Sequence, residues 1–195
     1  MTQIKCDAQH YTYADYLTWT DEQVGGLVNG VPYVREPPCP SASHQGIVLE
    51  LSRQAANALE HTSCRVFVAP FDVRLPKSDE DDDRVDTVVQ PDVLIICDPK
   101  RVDARGMRGA PDWIAEILSP STARYDRTTK LLVYERAGVR EVWLVDPIER
   151  RMTVYLLEEG RYGHPSTLDL KGLTRLTAVP DVTIDWERAL AKITS

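Results

Sequence analysis

Pro111-Asp112-Trp113-Ile114-Ala115-Glu116-Ile117-Leu118-Ser119-Pro120-Ser121-Thr122 is the stretch on which the fold turns. Pro111 to Leu118 is short, apolar and bounded by proline, which predicts a buried strand. Side chains alternate along a strand, so Glu116 shares a face with Ile114 and Leu118. A carboxylate placed among such neighbours answers to a salt bridge, to water at a sheet edge, or to a site that uses it. Downstream, Asp126 to Ala137 reads as a helix, with Asp126 as N-cap and Gly138 just past its end. Lys130, Val133, Tyr134 and Ala137 fall on one face of it, and their apolar character turns that face toward the sheet. Val142 to Val145 is a short buried strand, and Asp146-Pro147 turns it into a hairpin with Met152 to Leu157.

Upstream, Val85 to Cys97 reads as a strand bent at Pro91, and Cys64 to Leu75 as another. Asp92 stands in the first of these, between a proline and the run Val93-Leu94-Ile95-Ile96. Neighbouring strands lie about 4.8 Å apart, so Asp92 and Glu116 are able to converge. Asp112 is four residues from Glu116, roughly 13 Å along a strand, too far to share an ion with it. Two convergent carboxylates suit a hard divalent cation, since magnesium commonly takes one or two of them with water and substrate phosphate completing the shell.

His44 to Glu60 is predicted helical, with Ile47, Leu51, Ala55 and Leu59 on one side and Glu50, Arg53, Gln54 and Asn57 on the other. Thr12 to Asp15 reads as a capping box, Asn29-Gly30 as a hairpin turn, Arg35 to Ser43 as a proline-rich loop, and Asp79 to Asp83 as a solvated acidic run. Asp98 to Gly109 reads as a loop, and Asp185 caps a last short helix. The order helix, strands, helix, strands predicts a mixed α/β (α+β) architecture, a central mixed sheet with a helix on each face. At 195 residues this is one domain: an N-terminal extension with a hairpin (1–43), a core (44–147) and a β-rich C-terminal extension (148–195).

A net charge of −7 argues against non-specific binding to nucleic acid or anionic membrane, and still allows a local basic groove. No apolar run approaches the roughly 18 residues of a membrane span, and the N-terminus shows no signal peptide, so a cytoplasmic protein with no membrane partner is expected. Cys6, Cys39, Cys64 and Cys97 are scattered without a CxxC pair, and are read as reduced thiols. His61 and Cys64 lack the second pair that structural zinc would want. Phosphate-loop, dinucleotide, nucleophile-elbow and HExxH motifs are absent.

Pro91-Asp92, Gly109-Ala110-Pro111-Asp112, Glu116 through Thr122, Asp126 with Lys130, and Gly138 through Pro147 together resemble the bacterial "Uma-two" family. Its members are assigned as nucleases of the PD-(D/E)xK, restriction-endonuclease-like superfamily. The resemblance reaches back through Val89-Gln90, Ala69 to Leu75 and His44-Gln45. It implies a core of helix, three antiparallel strands, helix and a further strand. It also implies that Asp92 and Glu116 bind Mg2+ or Mn2+ and that the chain is a DNA endonuclease. The superfamily lysine falls two residues after the acid, at Leu118 here, and the family pattern places it instead at Lys130. Glu50 matches the position of an additional acid, or is simply part of a polar helix face. One departure stands out: the family's acid and Asp-Gly turn near the N-terminus correspond to Gly26-Leu27-Val28-Asn29-Gly30, with glycine for the acid and asparagine for the aspartate.

Basic side chains flanking such a site would hold phosphates; Arg124, Arg127, Arg105, Arg108 and Arg101 are candidates, with His44 beside them. Cutting two strands favours a homodimer. The rival reading, favoured by the charge and by Gly26, is a non-catalytic module that binds nucleic acid or protein on a nuclease scaffold.

Overall fold

A computed structural model describes residues 9–19, 24–34 and 41–191. In chain order these form α1 (Tyr13–Tyr16), the hairpin β1 (Val24–Val28) and β2 (Val31–Val34), α2 (Ala42–Ala58), β3 (Arg65–Val68), β4 (Val73–Arg74), β5 (Val88–Val89) and β6 (Val93–Ile96). There follow β7 (Val102–Asp103), β8 (Gly106–Arg108), β9 (Trp113–Ile117), α3 (Ala123–Tyr125), a π-helical turn (Asp126–Lys130), α4 (Leu131–Ala137), β10 (Glu141–Asp146) and β11 (Arg151–Glu158). The chain ends with β12 (Arg161–Tyr162), β13 (Ser166–Asp169), β14 (Leu173–Arg175), β15 (Thr183–Asp185) and α5 (Trp186–Leu190). Most of the predicted loop Arg35 to Ser43, the N-terminal residues, Cys6 and Cys39 lie outside the described residues.

The central sheet runs β12-β11-β10-β9-β6-β3, with β13 added beside β11. β3, β6 and β9 are mutually antiparallel, and β10 lies parallel to β9 after the helical crossover. This is the helix, three strands, helix, strand order expected. Strand parity sorts the two faces. Val93, Ile95, Trp113, Ala115, Ile117 and Trp143 pack under α2 and the C-terminal segment around Leu176, Val182 and Trp186. Leu94, Ile96, Ile114, Leu118 and Leu144 pack under Val133 and Tyr134 of α4 and against a second sheet, ordered β2-β1-β5-β4-β8-β7.

Three expectations change. The predicted strands Cys64–Leu75 and Val85–Cys97 are each two strands in different sheets, because prolines 70 and 91 interrupt the pairing where the chain crosses between layers. The 98–109 loop contains the β7–β8 hairpin. Asp82 of the acidic run is not merely solvated: it pairs with the fully buried Arg74 and, at 2.6 Å, with Arg108. The cysteine reading is also corrected. Just past the Arg65↔Ile96 pair the antiparallel register sets Cys64 across from Cys97, and the two form a disulfide with Cα atoms 3.8 Å apart. The Asn29-Gly30 hairpin turn is present, with φ of 49° and 75° at the two turn residues, the left-handed pair such a turn demands. Among the described residues no helix is long and apolar enough to cross a membrane.

Candidate active site

One step past the Val93↔Ala115 pair, the antiparallel register brings Asp92 opposite Glu116. Both occupy the parity of the α4 side, where the sheet opens into a cleft of about 1150 Å³. Asp92, Glu116, Asp126, Lys130, His44 and Tyr33 are among its lining. Asp92 is fixed by the strand it faces: its Oδ2 accepts from the Ile117 N–H at 2.8 Å. Its Oδ1 lies 3.4 Å from His44 Nε2. His44 reaches in from the first turn of α2, and its Nδ1 is buried without a hydrogen-bond partner. Burial alone would lower the His44 pKa, but the hydrogen bond and charge of Asp92 outweigh that and raise it.

Glu116 is buried at 1% exposure, one residue before the end of β9. Its Oε1 accepts from Lys130 Nζ at 3.0 Å and from the Tyr134 hydroxyl. Lys130 Nζ also lies 3.2 Å from Asp126 Oδ1. The expected helix therefore begins earlier, at Ala123, and Asp126 is not its cap. The π turn carries Asp126 and Lys130 on the sheet side, the local widening that often accompanies functional positions. Burial raises the Glu116 pKa, Lys130 opposes the rise, and the charges of Asp126 and Asp92 add to it. Burial would lower that of Lys130, but Glu116 and Asp126 together hold it well above its ordinary value, so it remains an ammonium. Tyr134 is raised well above the ordinary range by burial and by Glu116, so its phenol keeps the proton it donates.

The other residues singled out in the sequence disperse. Arg124 lines the cleft. Arg127 pairs with Asp146 at 3.0 Å. Arg108 is held by Asp82 and the Glu80 carbonyl, Arg105 stands on the turn after β7, and Arg101 donates to the Ala110 carbonyl at 2.9 Å; none of these three lines the cleft. Glu50 is buried on α2, paired with Arg53 and Gln54, while Gln54 in turn clasps the backbone of Asp185. It belongs to the seam between α2 and the C-terminal segment and is not among the cleft residues. Asp112 caps the Cys97 N–H at 2.6 Å and pairs with Arg140 at 2.5 Å, a structural position at the strand's start.

Asp126 was read only as a cap, and two further contributors, Tyr134 and Tyr33, escaped the sequence reading. Tyr134 lies four residues past Lys130 on the same face, which was a signal for a partner to the same carboxylate. Tyr33 gave no signal at all. Its ring passes over Gly26, whose φ is +149°, and a Cβ there would stand 2.8 Å from Tyr33 Cε1 and Oη and would run into the Val88 carbonyl. The glycine that departs from the family pattern is thus the space through which Tyr33 reaches the cleft.

Among the described residues no group of three or more histidine, cysteine or acidic side chains is disposed around a common metal position. Two carboxylates are nevertheless a sufficient protein share for magnesium or manganese. The chemistry of the donors fits: hard oxygens at a cleft wall, one of them on a buried acid made reluctant to ionise partly by the second.

The acid pair and the lysine thus stand on a mixed sheet flanked by helices, with Glu116 buried and Asp92 partly exposed to the cleft. A solved "putative nuclease belonging to DUF820" from Anabaena variabilis has the same fold, with a TM-score of 0.71 and 19% identity over 92% of this chain and 97% of that one. No curated protein matches this sequence. The Uma2 family, described as "Putative restriction endonuclease", matches residues 13–191, and the chain belongs to that family.

Proposed function

We propose that the protein is a metal-dependent endonuclease that hydrolyses phosphodiester bonds, with DNA as substrate and Asp92, Glu116 and Lys130 as the catalytic group. The observation that carries this reading is Lys130 Nζ standing 3.0 Å from Glu116, whose strand neighbour across the register is Asp92, on the wall of an open cleft. A divalent cation held by Asp92 and Glu116 would supply Lewis-acid polarisation of the phosphate and of an attacking water. The chain's own residues do the rest. The Ile117 N–H and His44 fix the Asp92 carboxylate so that it does not reorganise during the reaction. The Tyr134 hydroxyl and Lys130 hold Glu116 in place. The Lys130 ammonium, already desolvated, is placed to oppose the negative charge that accumulates on the phosphate oxygens as the water attacks. Arg124 at the rim would hold a neighbouring phosphate.

The test incubates the purified chain with supercoiled plasmid and with single-stranded circular DNA, in magnesium or manganese, with and without chelator. Chelator-sensitive cutting supports the reading. No cutting of any substrate in either metal refutes it and leaves the non-catalytic interaction module.

A further inference from the structure

The cleft has an aromatic wall that the carboxylates and lysine do not need. Tyr33 from β2 and Tyr125 from α3 lie with ring centroids 4.9 Å apart and planes tilted by 38°. Both line the cleft and both are half-buried. Glu116, Asp126 and Lys130 line the same cleft, so the pair shares it with the proposed catalytic group. Its position depends on the missing side chain at Gly26.

The charge around it is the second observation. Arg124 and Lys130 are the only lysine or arginine side chains lining the cleft among the described residues, and Lys130 is paired with two acids. The chain carries −7 overall. Proteins that grip a duplex do so mainly through many cationic contacts to the phosphates. Among the described residues the cleft has two such cations, while hydroxyls of Ser119, Ser121, Thr122 and Thr129 and the amide of Gln90 also line it. An aromatic face with neutral hydrogen-bonding groups beside it is the pattern for bases taken out of a stack.

We infer that the Tyr33–Tyr125 pair is a stacking subsite for a nucleobase next to the scissile phosphate, and that the preferred substrate is therefore an unpaired strand. This rests on the nuclease reading above and narrows it. A base within a duplex presents only its edges to the grooves, whereas an unpaired base offers its face to the phenol rings.

The experiment uses the full chain in chelator, so that nothing is cut. A twelve-nucleotide DNA carrying one central 2-aminopurine is titrated as a single strand and as a duplex, against the wild-type protein and the Tyr125→Leu, Tyr125→Phe and Tyr33→Leu variants. Folding of each is checked by thermal melting. The expected result is tighter binding of the single strand than of the duplex, with 2-aminopurine fluorescence quenched on binding. Tyr125→Leu should weaken single-strand binding by about tenfold and relieve the quenching, and Tyr125→Phe should keep both. Should Tyr33→Leu fail to fold, the Tyr125 pair decides alone. Equal binding of both forms, or quenching unaffected by Tyr125→Leu, overturns the inference. A protein that fails here yet cuts plasmid under chelator control remains a nuclease of duplex DNA. One that cuts nothing at all fails the earlier reading first.

Discussion

Replacing Tyr134 by phenylalanine removes one oxygen atom and nothing else. That oxygen donates to Glu116 Oε1, inside the core, where the acid is 1% exposed. The ring is fully buried and packs with Val133, Ile114 and Leu144, all of which phenylalanine preserves. A hydrogen bond to an ionised group is worth about 1.5–3 kcal/mol. The Glu116 pKa is already raised by burial, and losing a donor that favours the charged form raises it further. In the metal-free protein the acid escapes most of that loss by holding a proton. In the metal-bound protein it must be ionised, so the loss appears there. Tyr134→Phe should therefore weaken manganese binding by about 10- to 100-fold, in line with other partners of metal-ligating carboxylates. Calorimetric titration of manganese into both proteins reads this directly. Thermal melting gives the complement: nearly equal metal-free transitions, and a manganese-induced stabilisation smaller by about 1.4 kcal/mol for each tenfold of lost affinity. Equal manganese affinities in the two proteins would refute the idea that Glu116 ligates the ion with Tyr134 behind it.

Lys130→Met should lower cleavage by at least 100-fold, about 2.7 kcal/mol, in a single-turnover assay. It should also destabilise the metal-free fold by about 3 kcal/mol in denaturant titration, because Asp126 and Glu116 lose a buried cation, with manganese restoring part of it. In chelator, stability should fall as pH rises from the ordinary glutamate range of about 4.3 through the raised value, since the folded Glu116 keeps a proton that the unfolded chain releases. Glu116→Gln should abolish that component, and a pH dependence identical in both proteins would contradict it. Glu141 is a different buried acid: it accepts from Trp143 Nε1 at 2.6 Å and from the Thr177 and Ala178 N–H groups at 2.7 and 2.6 Å, tying the C-terminal segment to β10. Glu141→Ala should cost about 3 kcal/mol of unfolding free energy by leaving three donors unsatisfied, without changing manganese affinity.

The acid pair was legible because strand parity is a strict rule. Glu116 shares its face with Ile114 and Leu118, while the run after Pro91 is apolar on both faces and showed only that Asp92 is able to converge with it, not which face it takes. The 130/133/134/137 face placed Lys130 on the sheet side for the same reason. What the sequence could not convey depends on contacts between distant segments. Asp126 reads as a cap from its neighbours alone, and only the π turn and the buried ammonium show it facing inward. Glu50 reads as one of a polar row until the C-terminal segment is seen to cover it. Tyr33 stands more than eighty residues from its partners, and a glycine at position 26 looks like a loss until the ring that crosses it is in view. The layer crossings at Pro70 and Pro91 were hidden for a similar reason, since continuous apolar character says nothing of which sheet receives it.

The central claim, that Asp92 and Glu116 form a metal-dependent cutting centre, is tested most directly by Asp92→Asn. Asparagine retains an oxygen to accept from the Ile117 N–H, so the fold should persist while a charged metal ligand is lost. Cleavage of supercoiled plasmid and of fluorescent single-stranded DNA by wild type and variant is followed across a manganese titration. The account predicts manganese-dependent cutting by the wild type and at least a 100-fold loss in a folded Asp92→Asn protein; equal rates in the two would contradict it.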